Sequence, residues 1–297
     1  MVQMKEVAGR TYLLDCGEVP VFSMPQVAYL LLDDLPVLIE PGCTAAASRL
    51  LDDSSRLGLH LENLAYIIPT HIHVDHGGAA GYLARKFPEA KVVVHPRGAA
   101  HLKEPSRLIQ GTSFVFGPQW EEAFGPILPV PEDQIHVAQD GEVIPLGERR
   151  LTVFFTPGHA PHHIAIHDSL TNGLFCGEAL GFVSDTMPDI PLPAGVPPFD
   201  PELYIETIDK LAKLSVKLLF YSHIGVGNEA DKLIKLVKET SIAFGKIIQK
   251  GVEAGEDDRA ILGRLSEYVK SYSPKAELPM SFQLTLSGYL DYFRNKR

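Results

Sequence analysis

Four side chains able to bind a metal ion stand within six consecutive positions, as His71, His73, Asp75 and His76. In an extended segment residues i and i+2 project to the same side, so His71 and His73 can reach one ion together. Asp75 and His76, past a turn, can face a second. Neutral imidazole and carboxylate are ligands for zinc, iron or manganese. The plain alternative is a run of solvated histidines, since the chain holds 12 His and 37 Asp and Glu in 297 residues. Three further places weigh against it. Thr156-Pro157-Gly158-His159 follows the apolar run LTVFF, Gly177-Glu178 follows GLFC, and Ser222-His223 follows KLLFY. Each puts a ligand-type side chain just past an apolar strand, where the binding crevices of open α/β sheets lie.

The elements around these positions are short. Tyr12–Asp15, Val27–Asp33 and Val37–Glu40 are apolar runs bounded by Gly, Pro and Asp and are expected to be strands. Ala45–Leu57 has helical spacing and Gly58 as its stop signal. Leu64–Pro69 is expected to be a strand running straight into the His71–His76 loop, followed by a helix Ala79–Phe87 and a strand Lys91–His95. That order is an α/β signature. Phe114–Pro131, rich in Pro, Gly and aromatics, is expected to be a covering loop. A second strand-rich block runs from Asp140 to Phe182, then a proline-dense stretch Pro188–Pro201, expected to be a stiff ordered loop. Helix Tyr204–Leu214 and strand Lys217–Ser222 lead to His223, and three amphipathic helices follow at Asp231–Gly251, Arg259–Tyr272 and Ser281–Phe293. Two β-rich blocks flanked by helices suggest a sandwich of two sheets.

The series HxHxDH at His71–His76, TPGH ending at His159, an acidic residue at Glu178 and then His223, in that order and with those gaps, resembles the metallo-β-lactamase superfamily over about residues 10–227. The resemblance implies an α/β fold, the αββα four-layer sandwich, with a helical C-terminal extension. It implies a metal-binding hydrolase domain over residues 1–227 and an extension, 228–297, covering the active-site face. It also implies a cofactor of two divalent ions, zinc first, with iron or manganese as alternatives. One ion would be held by His71, His73 and His159, the other by Asp75, His76 and His223, with Glu178 bridging. The superfamily usually carries aspartate at the bridge. Glutamate is one methylene longer, so it must fold back or displace the backbone to bridge, or else act as an outer partner of a ligand histidine.

The same resemblance implies a metal-dependent hydrolase in which a metal-bridged hydroxide attacks an ester, thioester or lactone carbonyl, with Asp75 holding the attacking proton. Tyr221 and Ser222 are weaker candidates for contacting the oxyanion. Members resembling glyoxalase II, the quorum-signal lactonases and the quinolone-signal-pathway thioesterase add helices or loops over a common metal face. The last fits best in size and helical extension. Phe114, Phe116, Trp120, Phe124, Phe244, Tyr268 and Tyr272 either line an apolar pocket or pack helices; the sequence leaves both open.

His162 and His163 extend the third motif; three uses stay open for them, orienting a ligand, touching substrate, or serving as satisfied structural histidines. His60, His95, His101, His136 and His167 lack such context and read as structural or surface residues. Cys176 reads as a small buried hydrophobe, and Cys43 has no activating base in view. Gly77-Gly78 lets the loop enter its helix without a clash.

Net charge is 27 − 37 = −10, with no block of Lys or Arg, which argues against nucleic acid and an anionic membrane surface as partners. From Asn228 onward the balance is 12 − 10 = +2, against −12 for the rest. The expected partner is a small, partly apolar substrate, with a homodimer left open. MVQMKEVAGRTYLLD does not read as a signal peptide, no apolar run is long enough to span a bilayer, and three widely spaced cysteines form no disulfide framework, so a cytoplasmic location is expected. Three other functions compete. An iron-dependent redox enzyme, of sulfur dioxygenase or oxygen-reactive diiron type, shares the fold, although the chain lacks a flavodoxin-like domain and has His73 where flavo-diiron proteins carry glutamate. A nuclease conflicts with the charge. A metal-bound regulatory protein with marginal turnover is kept in view by Glu178.

Overall fold

The computed structural model describes residues 1–19, 24–54, 56–59, 61–184, 187–272, 274 and 282–295. His60 and Ser281, named above, lie outside the described residues. The chain divides into two compact units, Met1–Phe155 with His162–Gly177, and Thr156–Pro161 with Glu178–Arg297.

The first unit opens as an antiparallel meander of β1 (Gln3–Ala8), β2 (Thr11–Val19), β3 (Met24–Leu31) and β4 (Val37–Ile39). Three strands then add in parallel, β5 (Tyr66–Ile68), β6 (Lys91–Val94) and β7 (Ile135–Val137). Parallel neighbours need crossovers, and here these are helical. Helix α1 (Thr44–Ser54) joins β4 to β5, and α2 (Val74–Gly77) and α3 (Ala80–Lys86) join β5 to β6. The third crossover holds α4 (Pro96–Lys103), α5 (Ser106–Phe116) and α6 (Trp120–Phe124).

Because β4, β5 and β6 run the same way, their C-terminal ends share one sheet edge, and the His71–His76 loop leaves from it. Register decides what lies beside that loop. Ile39 pairs with Ile68, and the Glu40 N–H donates to the Ile68 carbonyl at 3.0 Å, so Glu40 ends β4 next to Pro69 and Thr70.

A second sheet of this unit is antiparallel throughout, β8 (Val143–Pro145), β9 (Arg150–Phe155), β10 (Ile164–Asp168) and β11 (Gly173–Gly177). Tyr29 of β3 meets Phe175 of β11 edge to face, with centroids 5.2 Å apart. On the opposite face of the first sheet, Leu14, Ala28, Leu30, Ile67 and Val92 share a core with Ala46, Leu50 and Leu83 of the helices. Both faces of β3 are thus covered, which is why it reads as a continuous apolar run without alternation. Arg149 ties this unit together from inside. It is buried, donates to the carbonyls of Gly9 and Arg10 and to the Thr11 hydroxyl, and lies 3.5 Å from Asp33 and 3.4 Å from Asp168.

The expected covering loop Phe114–Pro131 is partly helical instead. Gly117 and Gly125, both left-handed at φ 82° and 73°, bracket α6, whose five residues are too few to display a period. Trp120 and Phe124 are buried in the core of the first unit, and Phe116 packs on Phe124 at 4.9 Å. These three aromatics therefore take part in the packing that seats a helix on the sheet. Phe114 points outward, 91 % exposed.

The second unit contains the hairpin of β12 (Phe182–Ser184) and β13 (Met187–Leu192), then α7 (Pro201–Ala212), the hairpin of β14 (Leu218–Tyr221) and β15 (Gly225–Gly227), and α8 (Ala230–Glu253), α9 (Asp258–Tyr272) and α10 (Phe282–Asn295). The proline-dense stretch is thus a strand in its first part. Its carbonyls are used although its prolines have no N–H: Thr240 of α8 donates to Pro191, and Thr285 of α10 to Pro193. Asp200 caps α7 by accepting from the N–H groups of Glu202 and Leu203. Phe244 is buried, 5.7 Å from Tyr268 and 5.2 Å from Phe282, so it is core packing of the three C-terminal helices.

Candidate metal centre

In the first unit β5 delivers Thr70 and His71, both buried, to the sheet edge. Thr70 gives its hydroxyl proton to Glu40 Oε1 at 2.5 Å, so its oxygen is left to accept from the Nδ1–H of His71, 3.1 Å away. The other oxygen of the same carboxylate, Oε2, receives the Nδ1–H of His76 at 3.0 Å. Both imidazoles therefore hold their proton on Nδ1 and turn a lone pair out on Nε2. His71 Nε2 faces His73 Nδ1 at 2.9 Å, and His76 Nε2 faces Asp75 Oδ2 at 3.5 Å.

The rings form one group. His71 lies 4.5 Å from His73 and 4.0 Å from His76, centroid to centroid. His163 is buried and stacks on His71 at 5.0 Å, while His162 meets His73 edge-on at 5.6 Å.

Close packing of backbone makes the group possible. A Cβ on Gly77 would sit 2.9 Å from the His71 carbonyl oxygen, and one on Gly78 2.2 Å from that of Val74. These glycines are needed for close approach as the loop becomes a helix, as expected. Beneath them Gly177, left-handed at φ 52°, would push a Cβ to 2.5 Å from Thr70 Oγ1 and 2.6 Å from His163 Nε2.

In the second unit His159 is buried, and its Nδ1 donates to the Ala194 carbonyl at 3.0 Å. Its Nε2 lies 2.9 Å from Glu178 Oε2. A lone pair and a carboxylate oxygen that close need a cation between them, either a proton or a metal. The Glu178 carbonyl accepts from the Tyr204 hydroxyl at 2.9 Å, and burial holds that phenol well above its usual range. His223, with buried Tyr221 and Ser222 before it, occupies the turn between β14 and β15.

Imidazole and carboxylate donors with Nδ1 protons held by the chain's own acceptors suit a borderline divalent cation such as zinc. Within the first unit His71 with His73, and Asp75 with His76, offer ligand atoms within 4.8 Å of each other, as His159 with Glu178 do in the second. Ligands about 2.0–2.2 Å from one ion meet such separations.

Sequence reasoning missed Glu40 and Thr70. Glu40 stands 31 positions before His71, and only the β4–β5 register brings it to the loop. The available signal was LIEPG, an acidic residue just past an apolar strand. Three further histidines have partners away from this group: His95 Nδ1 caps α4 through Arg97 N–H, His136 pairs with Glu142 at 2.6 Å, and His167 with Asn172 at 3.0 Å. Burial raises the Cys43 and Cys176 thiols, so neither offers a ready thiolate.

The family model of the metallo-β-lactamase superfamily matches residues 23–223. The chain is 27 % identical over 169 residues to the metallo-beta-lactamase fold-containing protein ST1585 of Sulfurisphaera tokodaii, covering 56 % of this chain and 62 % of that one. The crystal structure of ST1585 superposes with a TM-score of 0.66 at 19 % identity, over 93 % of this chain and 97 % of that one. Acyl-coenzyme A thioesterase MBLAC2 of Gallus gallus is 29 % identical over 136 residues, 41 % of this chain and 44 % of its own length. The N-acyl homoserine lactonase AttM of Agrobacterium fabrum (strain C58) is 29 % identical over 119 residues, 38 % of this chain and 39 % of its own. The chain thus spans less than two thirds of the length of each of these curated relatives. It belongs to the metallo-β-lactamase superfamily and has its fold, with a C-terminal helical region. Relatives in that superfamily include named hydrolases, and among the described residues no helix is long and apolar enough to cross a membrane.

Proposed function

We propose that the protein is a metal-dependent hydrolase of small ester, thioester or lactone substrates. In this reading His71, His73 and His159 hold one divalent ion, Asp75, His76 and His223 hold a second, and Glu178 bridges them. The observation that carries it is the state of three imidazoles. His71, His76 and His159 each have Nδ1 tied to an oxygen of their own unit, leaving Nε2 lone pairs for a cation.

When bound, a pair of such ions supplies an activated water and polarises the carbonyl under attack. The chain supplies the rest. Glu40, Thr70 and Ala194 fix ring orientation and proton position, and in this reading Asp75 holds the proton released by the attacking water. Thioesterase and lactonase, the activities named for MBLAC2 and AttM, head the panel to be tested.

Metal analysis of the purified protein, coupled to hydrolysis assays on acyl-thioesters, esters and lactones, tests the reading. Zinc near two per chain with turnover on one class is the expected result. Iron with oxygen uptake on a persulfide would move the protein to the redox branch. His71→Ala/His73→Ala should strip metal and reduce turnover by more than the roughly 10–100-fold that loss of an outer partner costs; full activity in that variant would refute the assignment.

A further inference from the structure

Glu40 is buried with 3 % of its surface exposed, and its backbone is left-handed at φ 58°, a conformation that non-glycine residues adopt only under constraint from their surroundings. The register of β4 against β5 puts the residue beside the loop, and the left-handed turn accompanies a side chain that lies beneath it. There its two oxygens do different things. Oε1 reaches His71 through the Thr70 hydroxyl, and Oε2 reaches His76 directly. Under the proposed assignment, on which this inference rests, His71 serves one ion and His76 the other.

We propose that Glu40 is a shared positioning residue: a single carboxylate sets the proton and orientation of one ligand in each of the two metal groups. The two arms are chemically separable. Thr70 stands only in the arm to His71. A carboxylate accepts at both ends, whereas an amide has one oxygen and would turn its NH2 on the other donor, displacing that ligand's proton to Nε2. Tyr29 and Cys176, which also face Glu40, have their own protons held by burial and do not replace either arm.

The test is stepwise zinc uptake by the metal-free full chain, measured by competition with a chromophoric chelator. Wild type should bind two ions. Thr70→Val should weaken one step by roughly 10–100-fold and leave the other within about threefold, and Thr70→Ser should restore the first. Glu40→Ala should weaken both steps by that amount, and Glu40→Gln chiefly one. Thermal unfolding of the metal-free variants separates loss of fold from loss of ligand orientation. Should Glu40→Ala not fold, the Thr70→Val and Thr70→Ser pair still decides. Two ions bound by wild type, with both steps weakened equally by Thr70→Val or only one by Glu40→Ala, would overturn the shared role and leave the metal reading intact. A wild-type chain that binds no zinc would overturn both.

Discussion

Gly177 shows how little freedom the residues beneath the candidate centre have. Its φ of 52° disfavours any side chain, and a methyl group there would meet the Thr70 hydroxyl and the His163 ring at about van der Waals overlap. Neither neighbour can yield freely, since Thr70 is held by Glu40 and His163 is stacked on His71. Gly177→Ala should therefore cost about 2–4 kcal/mol, the sum of a left-handed penalty and overpacking. Urea unfolding of the metal-free protein reads that cost, and a loss below about 1 kcal/mol would mean that the loop is softer than its packing implies. At this scale the sequence was most readable where partners are neighbours in the chain. His71 and His73 share a side because alternate residues of an extended segment do. Glu40 escaped because its partners arrive through strand register, which no local spacing encodes.

Elements were legible in proportion to their length and period. The strands from β2 through β6 and the three C-terminal helices follow directly from apolar runs and amphipathic spacing. Helices α4, α5 and α6 did not, because short helices between glycines and prolines carry few turns of pattern, and Trp120 and Phe124 were as consistent with a pocket as with a core. Arg149 belongs to the same category of long-range facts. It links the β8–β9 turn to the β1–β2 hairpin and the end of β10, and burial pulls its guanidinium below the usual range even with two carboxylates at hand. Asp168 beside it is also buried. Arg149→Met keeps much of the volume but takes the guanidinium from buried Asp168 and leaves Asp33 to Arg10 at 3.7 Å, so a loss of about 3–5 kcal/mol is expected in chemical denaturation. Adding Asp168→Asn should return part of it. If the single change is neutral, the clamp contributes less than the desolvation of its charges, and the elements are held by packing alone.

For the whole molecule, groups kept neutral by burial set its tolerance of alkali. Burial pushes the Cys16 thiol up to about 12 and raises the phenols of Tyr29, Tyr204 and Tyr289 further. In the unfolded chain the same groups lose their protons near pH 8.5 for a thiol and 10 for a phenol. Below those values both states carry the protons, and the stability contributed by neutral burial is fully present. Above them the unfolded state releases protons that the folded state keeps, so stability falls as pH rises. The urea midpoint of the metal-free protein should accordingly hold level to about pH 8 and decline progressively between roughly pH 9 and 11. Tyr289 offers a way to isolate one contributor, because it is buried and donates to the Ser241 carbonyl, 3.2 Å away, within the second unit. Tyr289→Phe removes a hydrogen bond and should lower stability by about 1 kcal/mol at pH 7. It also removes one titrating phenol, so above pH 10 its decline should be shallower than that of the wild type and the two curves should converge. Parallel curves through pH 11 would show that alkaline loss arises elsewhere, from the ten-residue charge excess of the chain and not from the protons it buries.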